Sequence, residues 1–494
     1  MPVKTRFLLL ISLSVACLLA AMLLTLQQIR AYEESLGRFP HGSRIAGVPV
    51  GSLDSQAAAE RLAQVYTRTP VELRYKGSPI HLDPLAAGLN IDLDTIIAGA
   101  EESLAPPYWS GFWDFLWNRV PEPVEAGLNC SVDENMLRDY FQEQIISRYT
   151  SPPTAALAVI GDTLYIPGQP GETVDIDQAV KDLQAAMCSP NERVVELHSE
   201  MTEALPPQFE QLEASLRSLA LGSGYGGLIE LYFQDLETGR EINFAYYSRE
   251  EIAPGVAFTA ASTIKIPVMV SAYKVIEGEM PAGLRKSMEL MIDLSDNGST
   301  DDVMQQVLDQ NLAPIQVTHD MQALGLQNTF LAGFFYPGAP LLDRYETPAN
   351  QRTDISTDPD IYNQTTASDM GRLLAGIQRC ADSGSGPLVE VFGSQMTQAK
   401  CQDMVELLLK NRKGVLIEAG LPEGSPLAHK YGWTTDFVDG LMHTASDAAI
   451  VYTPGGNFVL TVYLYDQVQL PWDPAQRLVA YLTTSAYNFY NLNR

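Results

Sequence analysis

At 494 residues the chain is too long for one typical domain, and 46% hydrophobic with 19% charged residues is the composition of a globular protein rather than a disordered one. A formal net charge of −28 excludes nucleic acid as a partner, because phosphate binding needs clustered Lys and Arg. The histidines (His41, His81, His198, His319, His429, His443) are scattered, with neither H-E-x-x-H nor H-x-H, so no metal and no other cofactor is expected.

The N-terminus carries Lys4 and Arg6, then runs from Phe7 to Leu26 without a charge, long enough to span a bilayer. No clean cleavage site follows, and Ser14 stands where a lipoprotein site at Cys17 would have leucine. Residues 1–28 therefore read as a cytoplasmic tail and a single-pass anchor in the cytoplasmic membrane, with the rest of the chain extracytoplasmic. Cys130, Cys188, Cys380 and Cys401 are an even number in a disulfide-permissive compartment. Of three possible pairings, Cys130 with Cys188 and Cys380 with Cys401 would each stay within one domain; four free thiols are the alternative.

Between residues 45 and 205 a weak repeat emerges. Gly88-Leu-Asn-Ile91-Asp92-Leu93-Asp94 returns as Gly171-Glu-Thr-Val174-Asp175-Ile176-Asp177, and Leu53-Asp54-Ser55 as Val132-Asp133-Glu134. Each aspartate can cap a following helix, Thr95–Leu104 and Gln178–Met187 in the first pair. Pro70–Tyr75 alternates as a half-buried strand should. Two small α+β repeats, 45–125 and 126–205, are expected. They resemble the peptidoglycan-binding-like domains of bacterial envelope proteins, which implies a cell-wall partner; a spacer is the alternative. Trp109, Trp113 and Trp117, with Tyr108, Phe112 and Phe115 nearby, form a helical stripe. Such a stripe reads as core or inter-domain packing, a membrane surface being the rival.

Residues 200–208, with Pro206-Pro207, read as a linker to a domain at 208–494. Helix Phe209–Ala220 precedes a hairpin of Leu228–Leu236 and Glu241–Tyr247. The pattern is helical from Ser262 to about residue 415. Strands return at Ala448–Thr453 and Phe458–Tyr465, and a helix opens at Asp473-Pro474. This order gives an α+β fold, an antiparallel sheet flanked by a helical subdomain.

Within that domain Ser262-Thr-Ile-Lys265 puts a hydroxyl and an amine on one helical face. Ser295-Asp296-Asn297 and Lys430-Tyr431-Gly432 follow. S-x-x-K, S-D-N and K-T-G in this order are the signature of class A β-lactamases and penicillin-binding proteins, and over about 210–494 the chain resembles that serine-hydrolase family. Leu342-Asp-Arg344-Tyr-Glu346-Thr-Pro-Ala-Asn350 resembles the family's Ω-loop, whose glutamate and asparagine hold the deacylating water. Thr365-Thr366 with Met370 resembles the start of a family helix.

The resemblance implies Ser262 as nucleophile, Lys265 and Glu346 as bases, and Ser295 as proton carrier to the leaving nitrogen. Asn297, Asn350, Lys430, Gly432 and Trp433 bind substrate, with the backbone N–H groups of Ser262 and Trp433 as oxyanion hole. The substrate is a β-lactam or a peptidoglycan stem peptide. β-Lactam hydrolysis is the specific expectation because of Glu346 and Asn350. A D,D-carboxypeptidase or transpeptidase, and a non-catalytic penicillin sensor or wall binder, are the alternatives. Four departures stand out. Tyr431 replaces the K-T-G threonine, the interval from Ser262 to Ser295 is short, Gln364 stands where an aspartate would pair Arg344, and Pro267 lies in the nucleophile helix. The aromatic segment Phe330–Pro340 is expected to rebuild the wall that the short interval removes.

Overall fold

The computed structural model describes residues 3–102, 107–411, 413–436 and 439–492. The chain divides into two compact units, Met1–Thr154 with Pro170–Glu203, and Ala155–Gln169 with Ala204–Arg494.

The first unit begins with α1 (Val3–Ser35), whose Leu10–Ser35 segment is long and apolar enough to cross a membrane. Short elements follow: β1 (Arg44–Ile45), β2 (Val48–Pro49), α2 (Ser55–Ala63), β3 (Val71–Tyr75), β4 (Ser78–Leu82), β5 (Leu89–Ile91), α3 (Leu93–Glu102) and α4 (Tyr108–Leu116). The expected helix end at Leu104 lies outside the described residues. Then come β6 (Glu125–Ala126), β7 (Cys130–Val132), α5 (Glu134–Phe141) and α6 (Ser147–Tyr149). After β8 (Leu157–Ala158) and β9 (Tyr165–Ile166), which belong to the second unit, it closes with β10 (Gly171–Val174), α7 (Ile176–Met187), β11 (Val194–Leu197) and β12 (Ser199–Thr202).

The four aspartates of the repeated motif do cap helices. Asp54, Asp92, Asp133 and Asp175 accept from the N–H groups of Ala57, Thr95, Met136 and Gln178 at 2.8–3.1 Å. The division at 125/126, however, is absent. Strand β1 pairs with β6, β5 with β7, and β3 with β11, so every one of these ladders crosses that line. One core joins Val71 and Leu73 to Leu137, Phe141 and Leu183. Two or three short strands cannot bury an apolar face alone, and the copies interleave instead. Cys130 and Cys188 are disulfide-bonded within this unit, Cα–Cα 5.9 Å. The tryptophan stripe is not core. Trp109 and Trp113 on α4, and Trp117 just after it, are exposed, and Phe112 alone of that helix is buried.

The second unit contains α8 (Phe209–Gly222), β13 (Leu228–Asp235), β14 (Glu241–Tyr247), β15 (Glu250–Ile252), β16 (Phe258–Thr259), α9 (Lys265–Val275), α10 (Ala282–Ile292), α11 (Asn297–Val307) and α12 (Ala313–Ala323). It continues through β17 (Phe330–Leu331), β18 (Asn363–Thr365), α13 (Ala367–Ser383), α14 (Pro387–Phe392), α15 (Gln398–Leu409), β19 (Leu427–Thr435), β20 (Met442–Val451), β21 (Phe458–Tyr465) and α16 (Trp472–Asn491). The main sheet is antiparallel, in the order β15-β14-β13-β21-β20-β19. On one face Ala428, Ala448 and Tyr463 join the core of α9, α10 and α13. On the other, Leu427, Ala445 and Leu464 join that of α8 and α16. This alternation is the period-two pattern of a sheet covered on both faces. Cys380 and Cys401 bridge α13 and α15, Cα–Cα 5.7 Å.

The hairpin β8–β9 sits on this unit, upstream of the expected boundary at 205/208. Gln211 of α8 accepts from the Ala158 N–H at 3.1 Å, Tyr165 and Ser485 hydroxyls lie 3.3 Å apart, and Asn488 donates to the Thr163 carbonyl at 2.9 Å.

Candidate active site

Ser262 lies in a 3-10 turn, Ala261–Ile264, that leads into α9. In such a turn positions i and i+3 eclipse, which brings Lys265 under Ser262. The Lys265 Nζ donates to Ser262 Oγ at 3.1 Å. Ala261, just before the nucleophile, has φ +49°, a left-handed backbone that a non-glycine residue adopts at some cost. Pro267 is the third residue of α9, close behind the 3-10 turn.

Lys265 is fully buried. Its ammonium also donates to Asn297 Oδ1 at 2.7 Å, to the Ser295 carbonyl at 3.1 Å and to Ser295 Oγ at 3.4 Å. Burial lowers its pKa to about 8, against the opposing pull of the Asp296 and Asp301 carboxylates. Ser295 Oγ donates to Ser262 Oγ at 2.7 Å, so it bridges the Ser262 hydroxyl and the Lys265 amine. Ser295 too is left-handed, φ +57°, at the turn between α10 and α11. Asp296 caps α11 by accepting from the Ser299 N–H at 2.6 Å, which fixes Asn297 at the helix's first position.

Lys430 and Gly432 come from β19. The Lys430 side chain is buried; its Nζ donates to the Tyr431 carbonyl at 3.3 Å and lies 4.3 Å from the Tyr431 ring centre. Burial first, and the nearby Lys265 charge second, lower its pKa to about 7. Tyr431 belongs to the core on the α8/α16 face and stacks on Trp433 at 4.7 Å, which meets Trp472 edge-on at 5.3 Å. Gly432 passes so close to the nucleophile that a Cβ there would sit 3.0 Å from the Ser262 nitrogen and 3.1 Å from the Ala260 carbonyl. A side chain there would force these backbone atoms to give by a few tenths of an ångström, which favours glycine.

The loop at 342–350 is not part of this cluster. Glu346 is exposed, and among the described residues no hydrogen bond links it to Lys265, Ser262 or Asn350. Asn350 is occupied within the loop. Its Oδ1 accepts from the Thr347 N–H at 2.9 Å, and its Nδ2 donates to the Tyr345 carbonyl and to Gln364 Oε1, each at 3.0 Å. Arg344 is exposed. The loop is therefore hinged on the neutral Asn350–Gln364 pair where the family resemblance implied an arginine–aspartate pair. The Asn350 side chain is thus engaged by Thr347, Tyr345 and Gln364, and Glu346 makes no direct hydrogen bond to it among the described residues.

The aromatic segment does reach the site. The Phe335 ring lies 5.1 Å from Lys265 Nζ, and Asp301 fixes that residue by accepting from its N–H at 2.9 Å. Phe335 thus packs against the Lys265 ammonium. Asp301 was not singled out from the sequence; a lone acid within a helix carries no signal until its partners are known. The same holds for the buried pair behind Lys430, where Asp447 faces His429 Nδ1 at 3.0 Å.

The profile of a family described as "Beta-lactamase enzyme family" matches residues 279–490. That span includes Ser295, Asn297, Glu346, Asn350, Lys430, Gly432 and Trp433, and starts after Ser262 and Lys265. No curated protein matches the chain. Among solved structures, the chain is similar to one described as "Structure of PBP-A", with 18% identity, TM-score 0.40, and coverage of 57% of this chain and 97% of that one. It is similar to a β-lactamase from Sphaerobacter thermophilus, with 17% identity, TM-score 0.40 and coverage of 56% and 98%. It is also similar to an ancestral class A β-lactamase, with 22% identity, TM-score 0.38 and coverage of 56% and 98%. With its antiparallel sheet between α8/α16 and a helical subdomain, the second unit has a β-lactamase-like fold.

Proposed function

We propose that this chain is a membrane-anchored, extracytoplasmic serine hydrolase, acylated at Ser262 by β-lactams and by the related D-alanyl-D-alanine ends of wall peptides. The observation that carries this reading is the buried contact of Lys265 Nζ with Ser262 Oγ at 3.1 Å, in a site that lowers the lysine to about pKa 8. A serine needs a nearby base to attack an amide, and a neutral lysine is one. The apolar Leu10–Ser35 segment of α1, the basic Lys4 and Arg6 before it, and the two disulfides support the anchor and the compartment.

In the first step neutral Lys265 takes the Ser262 proton as Oγ bonds the carbonyl carbon. The backbone N–H groups of Ser262 and Trp433 hold the resulting oxyanion, a contribution of about 3–4 kcal/mol in comparable sites. Ser295, within reach of both Ser262 and Lys265, relays the proton to the departing nitrogen as the C–N bond breaks. An ester at Ser262 and a free amine result. Lys430 supplies charge for the substrate carboxylate, and Asn297 holds Lys265 in place.

Release of the acyl group divides the two readings. Glu346, exposed and without a hydrogen bond to Ser262 or Lys265 among the described residues, favours slow deacylation and thus a penicillin-binding peptidase over a β-lactamase. The second reading, β-lactamase turnover, retains the residue match at Leu342–Asn350 in its favour. Labelling with fluorescent penicillin, beside steady-state hydrolysis of a chromogenic cephalosporin, tests both. A stable adduct at Ser262 with little turnover is expected. Sustained turnover restores the β-lactamase reading, and no label at Ser262 leaves a non-catalytic wall binder.

A further inference from the structure

Helix α4 has two apolar faces and only one of them has a partner within its unit. Tyr108, Phe112 and Phe115 pack around Tyr32 of α1, with ring centres 5.4–5.5 Å apart. Tyr32 also donates to the Tyr108 carbonyl, and Tyr108 to Glu33, each at 3.3 Å. The other face presents Trp109, Trp113 and Trp117, which are 65%, 59% and 72% exposed against 5% for Phe112. Spacings of four residues put these rings in one row. Leu116 and Val120 are exposed as well.

Single exposed apolar residues need no explanation, but three tryptophans in a row do. The place of the row suggests its occupant. The charge-free run Phe7–Leu26 covers about 30 Å as a helix, the thickness of a bilayer's hydrocarbon core. Tyr32 stands six residues further along α1, about 9 Å beyond that core and so at the outer margin of the headgroup layer. Tyr32 is the residue that holds α4. Tryptophan is the side chain enriched at that depth, because its ring is apolar and its N–H stays wet. No basic residue lies between Tyr108 and Trp117, so attraction to anionic lipid is not what the row offers.

We infer that Trp109, Trp113 and Trp117 dip into the outer headgroup layer of the membrane that α1 spans, as a second, peripheral attachment. The inference rests on reading α1 as an anchor.

The test uses the full chain reconstituted into phosphatidylcholine vesicles, carrying Trp433→Phe and Trp472→Phe so that all tryptophan emission comes from the row. In vesicles whose acyl chains are brominated near the headgroup, emission should fall by at least about twofold relative to unbrominated vesicles, with a blue-shifted maximum and little quenching by aqueous iodide. An anionic lipid fraction should leave the result unchanged. If the chain enters vesicles but iodide quenches and bromine does not, the row faces water and the inference is overturned while the anchor stands. Protection from both quenchers would mean that protein, such as a second copy, covers the row, and also overturns it. A chain that stays in the supernatant removes the anchor, and the inference with it. The same chain with Trp109, Trp113 and Trp117 changed to Ser, and Trp433 and Trp472 restored, should still sediment with vesicles and show no bromine quenching.

Discussion

The second unit holds two sets of chemically equipped residues, and they differ in how they are kept. Ser262, Lys265, Ser295 and Asn297 lie within 2.7–3.4 Å of one another around a buried ammonium. Two left-handed residues, Ala261 and Ser295, and a glycine that leaves only tight room for a Cβ lie beside them. The loop from Leu342 to Asn350 carries a matching run of residue types, yet its acid points to water and its asparagine is spent on the loop itself. Strain and burial are kept only where surrounding packing over-determines them. The first set has that packing; the second has the letters of a motif without its convergence.

Each of the following tests would break or sharpen that contrast. Ser262→Ala should abolish covalent labelling by penicillin, read on a gel; residual label would put the nucleophile elsewhere. Lys265→Met should slow acylation by about 10²–10⁴-fold, the usual range for a lost general base, measured by stopped-flow fluorescence. The acylation rate should be bell-shaped in pH with its maximum between about 7 and 8. The base Lys265 becomes neutral as pH rises through about 8, while Lys430 loses the charge that holds the carboxylate above about 7. A monotonic rise would remove Lys430 from binding.

The same two lysines bear on stability. Their folded pKa values are depressed below the ordinary lysine value of 10.5, so the fold disfavours their charged forms. That penalty is present in full below about pH 7 and disappears as pH rises from there toward 10.5. Lys430→Met should therefore raise Tm by roughly 2–4 °C at pH 6 and by less at pH 9, by calorimetry. The smallest effect belongs to the loop. Glu346→Gln should change the lifetime of the acyl-enzyme by less than about threefold, since an acid out of hydrogen-bond reach transfers no proton. A tenfold longer lifetime would show that the loop closes over Ser262 during turnover.

The sheet was legible because β13, β14 and β21 alternate or run continuously apolar between turn residues, and a sheet covered on both faces demands that. The Ser262–Lys265 pair was legible because its geometry depends on three consecutive bonds along one turn. The surroundings of Glu346 were not legible, for the opposite reason. Its loop is held by Asn350 on Gln364 and by Ala349 on Asn328, pairs 14 and 21 residues apart that leave no local pattern. The replacement at Gln364 was visible in the sequence, but its consequence in space was not. The interleaving of β1 with β6 and β3 with β11 escaped for a related reason. A repeat seen in sequence says which pieces are alike, not which pieces pair. The tryptophans show the limit of periodicity, which gives the stripe but not the side on which water lies.

The excursion of residues 155–169 into the second unit also bears on how the protein could be shed. The chain passes from the first unit to the second, back again, and over once more, at residues 154/155, 169/170 and 203/204. A protease that nicks the Pro206-Pro207 stretch severs one of these three strands only. The β8–β9 hairpin remains covalently part of the anchored fragment while gripping α8 and α16 through Gln211, Ser485 and Asn488. If α1 is the proposed anchor, the second unit would thus stay tethered after that cut, and its release would require cuts at both ends of the hairpin, near 154/155 and 169/170, or a loss of the hairpin's hold, because Cys130–Cys188 joins the two sequence segments of the first unit.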